Sequence, residues 1–376
     1  MKITIQEKKT QKELQAFVKF PFSLYKNEPH WVPPLIADEL ASMDPTKNPV
    51  FKNATARYFM AYDENGKAVG RISGIINDIE IKEQGKSKMR FGWFDAIDNI
   101  EVTKALIAKV EEIGKAHNLE YLEGPVGFSN MEKAGLLVDG FNELNTMITW
   151  YNYPYYKDHF EQLNFDKASE WIEFKIQILD REHQNEKVKR FANLVKERYG
   201  LYTVPFKSTK DILPYVDEMF GLLNKTYSSL ETFVPIQQYQ IDHYKKKFIK
   251  YINPDFIKCI ADPDGKLVAF AITMPSFNIA LKKANGSLFP FGFYHLLKAR
   301  KSSTTAALYL IGVDPAYQPK GVTGLIFQEI QDLFNDKGIT QIETNPELEN
   351  NKAIHQMWKN YESEIHKRRR TYRRDL

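Results

Sequence analysis

The stretch Leu308-Tyr-Leu-Ile-Gly-Val313-Asp-Pro-Ala-Tyr-Gln-Pro-Lys320-Gly321-Val-Thr-Gly-Leu-Ile-Phe327 decides how the second half of the chain folds. Its apolar start predicts a strand that ends at Val313, and the apolar spacing after Gly321 predicts an amphipathic helix. The first N–H groups of such a helix have no acceptor inside the helix, and the helix dipole favours negative charge there. Lys320 adds a cation. We therefore expect a phosphate or pyrophosphate site at this turn, with a glycine turn needed only for packing as the alternative.

The sequence on both sides extends this strand and helix into a larger unit. The apolar stripe Val322, Ile326, Ile330 and Leu333 predicts a helix from about Val322 to Lys337, which Gly338 ends. A strand over residues 339–346 follows. Upstream, residues 256–272 contain two apolar runs joined by Asp-x-x-Gly-Lys, a pattern typical of a β-hairpin.

The same order of elements occurs in the first half of the chain. A hairpin with an Asp-x-x-Gly-Lys turn is predicted at residues 56–73, a helix from about Ile100 to His117, and a strand at residues 119–125. Asp98 and Glu101 are predicted to form the capping box of that helix. The second copy is longer by about 22 residues, which we place between Pro275 and Ser303, because the distance from hairpin to final Pro differs by that amount.

This repeat predicts an α/β (α+β) fold of two lobes, each a mixed, mostly antiparallel sheet flanked by helices. We expect an N-terminal arm over residues 1–50, a first lobe over 51–180 and a second lobe over 181–376. A length of 376 residues, with 43% hydrophobic and 27% charged residues, suits two such globular lobes.

Composition excludes several classes of function. The single cysteine, Cys259, excludes a disulfide framework, a zinc ribbon and an iron–sulfur cluster, and the eight histidines lack metal-ligand spacing, so we expect no metal. A net charge of +4 is too balanced to indicate nucleic-acid binding from the total. The start of the sequence has no secretory signal and no apolar run approaches the ~20 residues of a membrane span, so we expect a cytoplasmic protein without a membrane partner.

The motif Gln318-x-x-Gly321-x-Thr323-Gly324, which follows Val313-x-Pro315, resembles the pyrophosphate loop of the GNAT superfamily of acyl-CoA N-acyltransferases. That loop usually reads Gln/Arg-x-x-Gly-x-Gly/Ala, so Thr323 departs from it. The segment Asn351-Lys-Ala-Ile-His-Gln-Met-Trp358 resembles the next motif of the family. The whole chain also resembles a bacterial group of two-lobed GNAT-like proteins, through residues 20–25, 31–34, 48–49, 69–72, 124–128 and 135–141.

The resemblance implies acetyl-CoA or another acyl-CoA as cosubstrate in the second lobe. The residues that it implies for the pyrophosphate are Gln318, Lys320, Gly321, Thr323 and Gly324. It implies that backbone N–H groups near Val313 bind the cosubstrate by stabilising the oxyanion, and that Asn351 contacts the pantetheine or adenylate. The loop of the first lobe, residues 94–99, has two acids and no glycine, so we expect no CoA there because the acids would repel a pyrophosphate.

The acid and the base of such a reaction are harder to assign. Trp358 stands where many members of the family place the tyrosine that protonates the leaving thiolate, and an indole N–H is no general acid at neutral pH. Tyr361, nearly one turn further on, is our candidate acid. Glu343, on the strand after the helix, is the candidate base nearest in sequence, with a solvated surface charge as its alternative.

Three functions stay open at this stage. The first is an N-acyltransferase, such as an acetyltransferase, that acts on an amine of a small molecule or peptide. The second is a Fem-like transferase that uses aminoacyl-tRNA, suggested by the tandem lobes and by six Lys/Arg between His366 and Arg374. Those basic residues otherwise suit a final edge strand with solvated charges. The third is a non-catalytic acyl-CoA-binding scaffold.

Two further segments each have two interpretations. The glycine-bearing loop from Gly124 through Asn130 to Gly135 either lines a substrate pocket or is a turn required by packing. The tyrosines between Tyr151 and Tyr156 either line a pocket with rings or belong to the aromatic core.

Overall fold

The computed structural model describes residues 1–129, 131–184, 186–228, 230, 232–248 and 252–376, except for the side chains of Phe248, Lys352 and Ala353. The chain forms two compact units. The first unit contains residues 1–172, 277–297 and 366–376, and the second unit contains residues 173–276 and 298–365. The domain boundaries that the sequence suggests, after residues 50 and 180, stay predictions.

The fold is mixed α/β, as the sequence predicts. The strands are β1 (Thr4–Lys8), β2 (Ala54–Tyr62), β3 (Ala68–Asn77), β4 (Lys88–Ala96), β5 (Tyr121–Gly124), β6 (Leu136–Asp139), β7 (Asp166–Gln177), β8 (Tyr202–Thr203), β9 (Ile257–Ala261), β10 (Leu267–Pro275), β11 (Thr305–Val313), β12 (Gln341–Thr344), β13 (Glu347–Leu348) and β14 (Ser363–Asp375). The helices are α1 (Gln11–Leu24), α2 (Ile36–Ser42), α3 (Asp78–Lys82), α4 (Ile100–Ala116), α5 (Tyr155–Gln162), α6 (Glu186–Tyr199), α7 (Thr209–Ile212), α8 (Val216–Tyr227), α9 (Gln238–Phe248), α10 (Asn278–Ala284), α11 (Gly292–Ser302), α12 (Val322–Lys337) and α13 (Lys352–Trp358). Within the described ranges, no helix combines the length and the apolar character needed to cross a membrane.

The sheet of the first unit has the order β1-β2-β3-β4-β5-β14-β7, to which β7 contributes residues 166–172. Its neighbours β1 to β4 pair antiparallel, whereas β4 and β5 pair in parallel. The predicted stripe of α4 is confirmed, because Val102, Leu106, Val110 and Ile113 are all buried in the core of this unit. Burial of this stripe fixes which face of α4 meets the sheet.

The sheet of the second unit has the order β7-β12-β11-β10-β9-β8, to which β7 contributes residues 173–177. Here β11 and β12 are the parallel pair, and β9, β10 and β11 pair antiparallel. The predicted stripe of α12 is buried, and Gly338 ends the helix in the left-handed conformation at φ 67°. The fold that the sequence predicts for residues 305–344 is therefore confirmed element by element.

The two hairpin turns have the same hydrogen bonds, which supports the internal repeat. In the first turn, Oδ1 of Asp63 accepts from the N–H of Lys67 (2.8 Å), and in the second, Oδ1 of Asp262 accepts from the N–H of Lys266 (3.0 Å). The glycine of each turn has a positive φ, 76° in one and 83° in the other. The Asp side chain and the glycine together set the reversal of the chain.

A β-bulge lies at the same place in both copies. In the first unit, Trp93 and Phe94 on β4 stand opposite Ile72 alone, because Arg71 pairs with Asp95 and Ser73 with Gly92. In the second unit, Tyr309 is the extra residue on β11, because Ile272 pairs with Leu310 and Thr273 with Leu308. Bulges bend a strand and end its pairing, and they are frequent beside active sites.

The predicted capping box of α4 is wrong. The N-cap is Asn99, whose side-chain oxygen accepts from the N–H of Glu101 (3.0 Å), and Asp98 instead points toward His159, with 3.4 Å between Oδ1 and Nε2. Asn caps a helix as well as Asp does, so the sequence left the register of the cap open by one residue.

The interpretation of the C-terminus as an edge strand with solvated charges is also wrong. The strand β14 lies between β5 and β7, and Lys367 and Arg369 are buried. The guanidinium of Arg369 donates to the carbonyl of Trp150 and to Oδ1 of Asn145 (3.0 Å). Part of the basic cluster is therefore internal to the first unit, where its charges are balanced by hydrogen bonds.

We expect Arg369→Ala to lower the free energy of unfolding by about 3 kcal/mol, because the change removes a buried guanidinium from its acceptors. The matched control is Arg373→Ala, since the Arg373 guanidinium lies over the Tyr121 ring (3.7 Å) and its side chain is 44% exposed. The Arg373→Ala control should lower the free energy of unfolding by about 1 kcal/mol or less. Urea unfolding followed by tryptophan fluorescence measures both, and equal losses would contradict the assignment of Arg369 to the core.

Candidate functional site

The strands β11 and β12 part at the bulge of the second unit. Their parallel pairing runs from Thr305 opposite Gln341 to Leu308 opposite Thr344, and β11 then continues to Val313 without β12. Parting of two parallel strands leaves backbone groups of β11 without a ladder partner on that side. This opening is the centre of the candidate site.

Side chains of α8, and one from the turn that follows β11, bond to the open edge of β11. The hydroxyl of Tyr227 donates to the carbonyl of Ile311 (2.9 Å). The hydroxyl of Thr226 and the amide of Gln318 donate to the carbonyl of Val313 (3.2 and 3.1 Å). The N–H and C=O of a strand residue point to the same side, so the N–H groups of Ile311 and Val313 face this edge too.

The start of α12 has no side-chain cap. Gly321 takes the N-cap position with φ 82°, and the backbone N–H groups of Val322 and Thr323 have no backbone acceptor in the part of the chain that the structure describes. A Cβ on Gly321 would lie 2.6 Å from the ring of Phe191, so both the backbone angle and this contact require glycine. The uncapped N–H groups and the helix dipole form a site that suits an anion.

The six loop residues predicted from the sequence lie together at this turn, and their role stays a prediction. Gln318 is exposed and its amide contacts Val313, whereas Thr323 and Gly324 form the first turn of α12. The Nζ of Lys320 lies over the rings of Tyr317 (3.9 Å) and Tyr199 (5.1 Å). The cation is thus held beside the loop by cation–π contacts.

Asn351 lies at the start of α13 and is exposed. Its N–H donates to the carbonyl of Leu348 (2.9 Å), and its side chain does not cap the helix. The Ala353 side chain of this predicted motif lies outside the described residues. The proposed contact of Asn351 with a cosubstrate stays a prediction.

A largely shielded carboxyl group that the sequence did not point to, Glu347 with a side chain 13% exposed, lies beside Trp358 of α13. Trp358 donates through Nε1 to both carboxylate oxygens of Glu347 (3.2 and 3.1 Å), and Nε2 of His355 lies 3.7 Å from Oε2. Burial raises the pKa of Glu347 to about 8, although hydrogen bonds from Trp358 and Thr344 oppose the rise. Glu347 therefore changes its charge near neutral pH, as a general base must.

Tyr227 connects this carboxyl group to the parted strand. Burial, with a contribution from the charge of Glu347, raises the pKa of Tyr227 to about 12. The same hydroxyl bonds to Ile311 on β11. The charge of Glu347 thus acts on the Tyr227 hydroxyl, which in turn bonds to the open edge of β11. The sequence signal was the position of Glu347, directly after Pro346 and three residues beyond the end of β12, but a charge at a strand exit is usually solvated.

The predicted acid and base have different surroundings. Burial raises the pKa of Tyr361 to about 12, and its hydroxyl has no hydrogen-bond partner among the described residues. Its ring lies 6.1 Å from that of Trp358. Glu343 lies on β12 opposite Lys175, and one of its carboxylate oxygens is buried, which differs from the solvated charge that was its alternative. Both catalytic assignments stay predictions.

The matching loop in the first unit is built differently. Asp95 is buried and accepts from Arg71 (2.7 Å) and from the hydroxyl of Tyr25 (2.7 Å). The helix that follows is capped by Asn99. The first N–H groups of α4 are therefore covered by the protein itself, in contrast to those of α12.

The two ambiguous segments of the first unit pack inward. Val126 and Ala134 form a β-bridge across the loop at residues 124–135, and Glu132 accepts from the N–H of Ser129 (2.6 Å) inside it. Asn130 lies outside the described residues. Tyr151 and Tyr156 are buried, which favours the core interpretation of the tyrosine cluster.

Metal-ligand clusters and cavities of the described residues do not add to the site. In the described residues, no group of three or more His, Cys, Asp or Glu is placed to hold a metal. A cavity of about 560 Å³ lies near the far end of α12, lined by Glu329, Asp332, Lys337 and others of mixed charge. None of the predicted site residues lines it, so it does not bear on the candidate site.

Comparisons with known proteins agree with the architecture. No family model matches the chain. It is 28% identical to Protein YghO of Escherichia coli (strain K12), over 97% of this chain and 93% of that protein, and 25% identical to the Bacterial ceramide synthase of Caulobacter vibrioides, over 98% and 96%. A tandem GNAT protein from the clavulanic acid biosynthesis pathway superposes with a TM-score of 0.55 at 10% identity, covering 100% of this chain and 98% of that one. The chain therefore has the tandem GNAT fold that the resemblance implied.

The raised pKa of Glu347 predicts a specific pH dependence of stability. A carboxyl whose pKa is higher in the folded than in the unfolded state stabilises the fold fully below the unfolded value, and this contribution is lost as pH rises through the folded value. Between about pH 4.5 and pH 8, the wild type should therefore lose up to about 4 kcal/mol relative to Glu347→Gln. Urea unfolding at pH 5 and pH 8.5 measures this difference.

The control is Glu349→Gln, which changes an exposed carboxylate two residues away. Its stability relative to the wild type should stay constant over the same range of pH. A constant difference for Glu347→Gln as well would show that Glu347 titrates like a solvated carboxylate.

Proposed function

We propose that the protein is an acyl-CoA-dependent N-acyltransferase, with acyl-CoA bound in the second unit between β11 and the start of α12. The observation that carries the proposal is the uncapped start of α12, placed directly after a strand that has parted from its parallel neighbour. The tandem GNAT fold supports it, because that fold is shared with N-acetyltransferases.

The pyrophosphate of the cosubstrate would lie at the first turn of α12. The N–H groups of Val322 and Thr323 are available as donors. A Cβ at Gly324 would meet only the Phe191 ring, at 3.8 Å, so Gly324 leaves room for phosphate oxygens. Lys320 would add positive charge from the side of the loop. Charge-assisted hydrogen bonds from a helix start suit phosphate groups.

The thioester would lie along the open edge of β11. The pantetheine arm contains two amides, and such a chain can add to a free strand edge through main-chain hydrogen bonds. In the reaction, the amine nitrogen forms a bond to the thioester carbon, the C–S bond breaks, and the thiolate leaves with a proton. A backbone N–H of β11 near Ile311 would stabilise the oxyanion that forms before the C–S bond breaks.

Glu347 and Tyr361 suit the two proton transfers. Glu347 with a pKa of about 8 can take the proton of the attacking ammonium or amine, directly or through water. Tyr361, whose pKa of about 12 keeps it protonated at neutral pH, can give a proton to the thiolate. Glu343, the base predicted from the sequence, is the alternative to Glu347.

The relatives favour a lipid as the acceptor. One relative that matches nearly the whole chain is named a ceramide synthase, and ceramide is the amide of a long-chain amino alcohol with a fatty acid. We therefore propose a long-chain amine as the acceptor and a fatty acyl-CoA as the donor. A water-soluble amine or a peptide is the other outcome of an acceptor screen, and salt-sensitive binding of tRNA would favour the aminoacyl-tRNA hypothesis.

The cosubstrate site is tested by Gly324→Asp, with Gly324→Asn as the matched control. A Cβ at this position meets only the Phe191 ring at 3.8 Å, so both side chains fit, and an acid in the first turn suits the helix. The dissociation constant of CoA, measured by calorimetric titration, should rise at least about tenfold in the Asp variant, because its carboxylate repels the diphosphate. The Asn variant should stay within about threefold of the wild type.

Gly321→Asp should weaken CoA binding further, because it adds backbone strain and a clash with Phe191. If both Asp variants bind CoA with unchanged affinity, the cosubstrate does not bind at this loop. Loss of affinity in the Asn variant as well would assign the effect to shape and not to charge.

The base is tested by Glu347→Gln against Glu343→Gln. With a long-chain amine and a fatty acyl-CoA, release of free thiol should fall about 100-fold or more in the Glu347 variant. Its rate should also lose the rise with pH that the wild type shows toward pH 8. The opposite result, with only the Glu343 variant impaired, would identify the base predicted from the sequence.

A further inference from the structure

An apolar projection extends from the first unit between β10 and β11. Its residues Ile279, Leu288, Phe289, Phe291, Phe293, Tyr294 and Leu297 are between 38% and 79% exposed. These are seven of the fourteen exposed large hydrophobic residues of the described chain, and they fall within nineteen positions. A concentration of this kind marks an interaction surface, whereas single exposed apolar residues are ordinary.

The base of the projection is fixed to the first unit by other residues. Ala280 and Leu281 of α10 are buried, the carbonyl of Gly286 accepts from the N–H of Ile36 (3.0 Å), and a Cβ on Gly286 would lie 2.6 Å from the ring of Phe22. The aromatic residues beyond this base therefore contribute little to the packing of the unit. Their side chains are presented to the outside by a well-anchored support.

The charged residues of the segment itself have one sign. From residue 265 to residue 313 the sequence contains no Asp or Glu, whereas it contains six Lys or Arg. All six are exposed, and five of them lie on the two helices of the projection: Lys282 and Lys283 on α10, and Lys298, Arg300 and Lys301 on α11. An exposed apolar tip with cations behind it matches the anionic surface and the apolar interior of a lipid bilayer.

The dimensions agree with contact at the surface of a bilayer. At ~1.5 Å per residue, Arg300 lies roughly 10 Å along α11 from Phe293. Apolar groups of interfacial segments enter a bilayer by roughly 5–10 Å, which would bring the cations to the level of the lipid headgroups. Phe and Leu are typical of the apolar face of interfacial segments, and Tyr is enriched at the membrane–water interface.

We propose that the segment from Ile279 to Lys301 docks the protein on an anionic lipid membrane, with Phe289, Phe291 and Phe293 inserted below the headgroups. The lack of a spanning segment, from which no membrane partner was expected, does not oppose this, because docking at the surface needs no spanning segment. The inference goes beyond the proposed transferase activity and rests on the projection alone. If the acceptor is a long-chain amine, docking would place the enzyme where that substrate resides.

The test is cosedimentation of the full-length protein, without CoA, with vesicles of phosphatidylcholine and phosphatidylglycerol at a ratio of three to one. The wild type should bind, and Phe289→Ser/Phe291→Ser should lower its partition coefficient at least tenfold. The matched control is Leu194→Ser/Leu213→Ser, which removes two exposed apolar side chains of the second unit, 54% and 39% exposed, and should stay within twofold. Circular dichroism verifies that each variant folds.

A second double variant tests the electrostatic contribution to membrane binding. Lys298→Gln/Arg300→Gln should weaken binding to the anionic vesicles severalfold and leave the weaker binding to pure phosphatidylcholine unchanged. The proposal is overturned if the wild type does not sediment with the anionic vesicles, or if the double serine variant binds as the wild type does. A wild-type dimer that the serine variant turns into a monomer, without vesicle binding, would identify a second copy of the chain as the occupant. Because no step needs CoA or turnover, failure here is distinct from failure of the proposed activity.

Discussion

The candidate site depends on the parting of β11 from β12 after Leu308 and Thr344. Parallel strands held together to their ends would use every backbone group of β11 in the ladder and leave no room between them. The bulge at Tyr309 prevents this, because the extra residue shifts the register and turns the strand away. Once the strands separate, the edge of β11 becomes available, and the chain that leaves it must turn directly into α12.

The second requirement is a dry environment beside that edge. Trp358 holds the carboxyl group of Glu347 with hydrogen bonds, and the rings of Phe327 and Tyr361 pack on the ring of Trp358. Burial makes the ionised carboxylate costly, so the pKa of Glu347 rises into the range where enzymes use general bases. The tryptophan that departs from the family pattern thus has a physical role here, since it orients a carboxyl group instead of donating a proton.

Sequence patterns predicted the parts that local periodicity and turn chemistry determine. The stripes of α4 and α12, the two Asp-x-x-Gly-Lys turns and the strand before Gly321 were all predictable because each depends on residues close in sequence. The place of β14 was not, because an alternation of charged residues looks the same on an edge strand as on one whose cations meet buried acceptors such as Asn145. Glu347 was missed for the same reason: its burial is set by α13, a helix that the sequence does not mark as its neighbour.

The repeat shows how two similar lobes can differ in chemistry through one position. Both have the same turn, the same bulge and the same parallel pair, so the architecture that we propose to hold an acyl donor is present twice. At the helix start, however, the two lobes differ. The first lobe has Asn99, whose side-chain oxygen accepts a hydrogen bond from the N–H of Glu101, whereas the second has Gly321, which has no side chain to cap the helix. The adjacent Asp95 bonds to Arg71, which in turn donates to the carbonyl of Phe17 in α1 (2.9 Å). The first lobe therefore uses its strand end to anchor the N-terminal helix, whereas the second leaves the N–H groups of Val322 and Thr323 without a backbone acceptor among the described residues, as the proposed anionic cosubstrate would require.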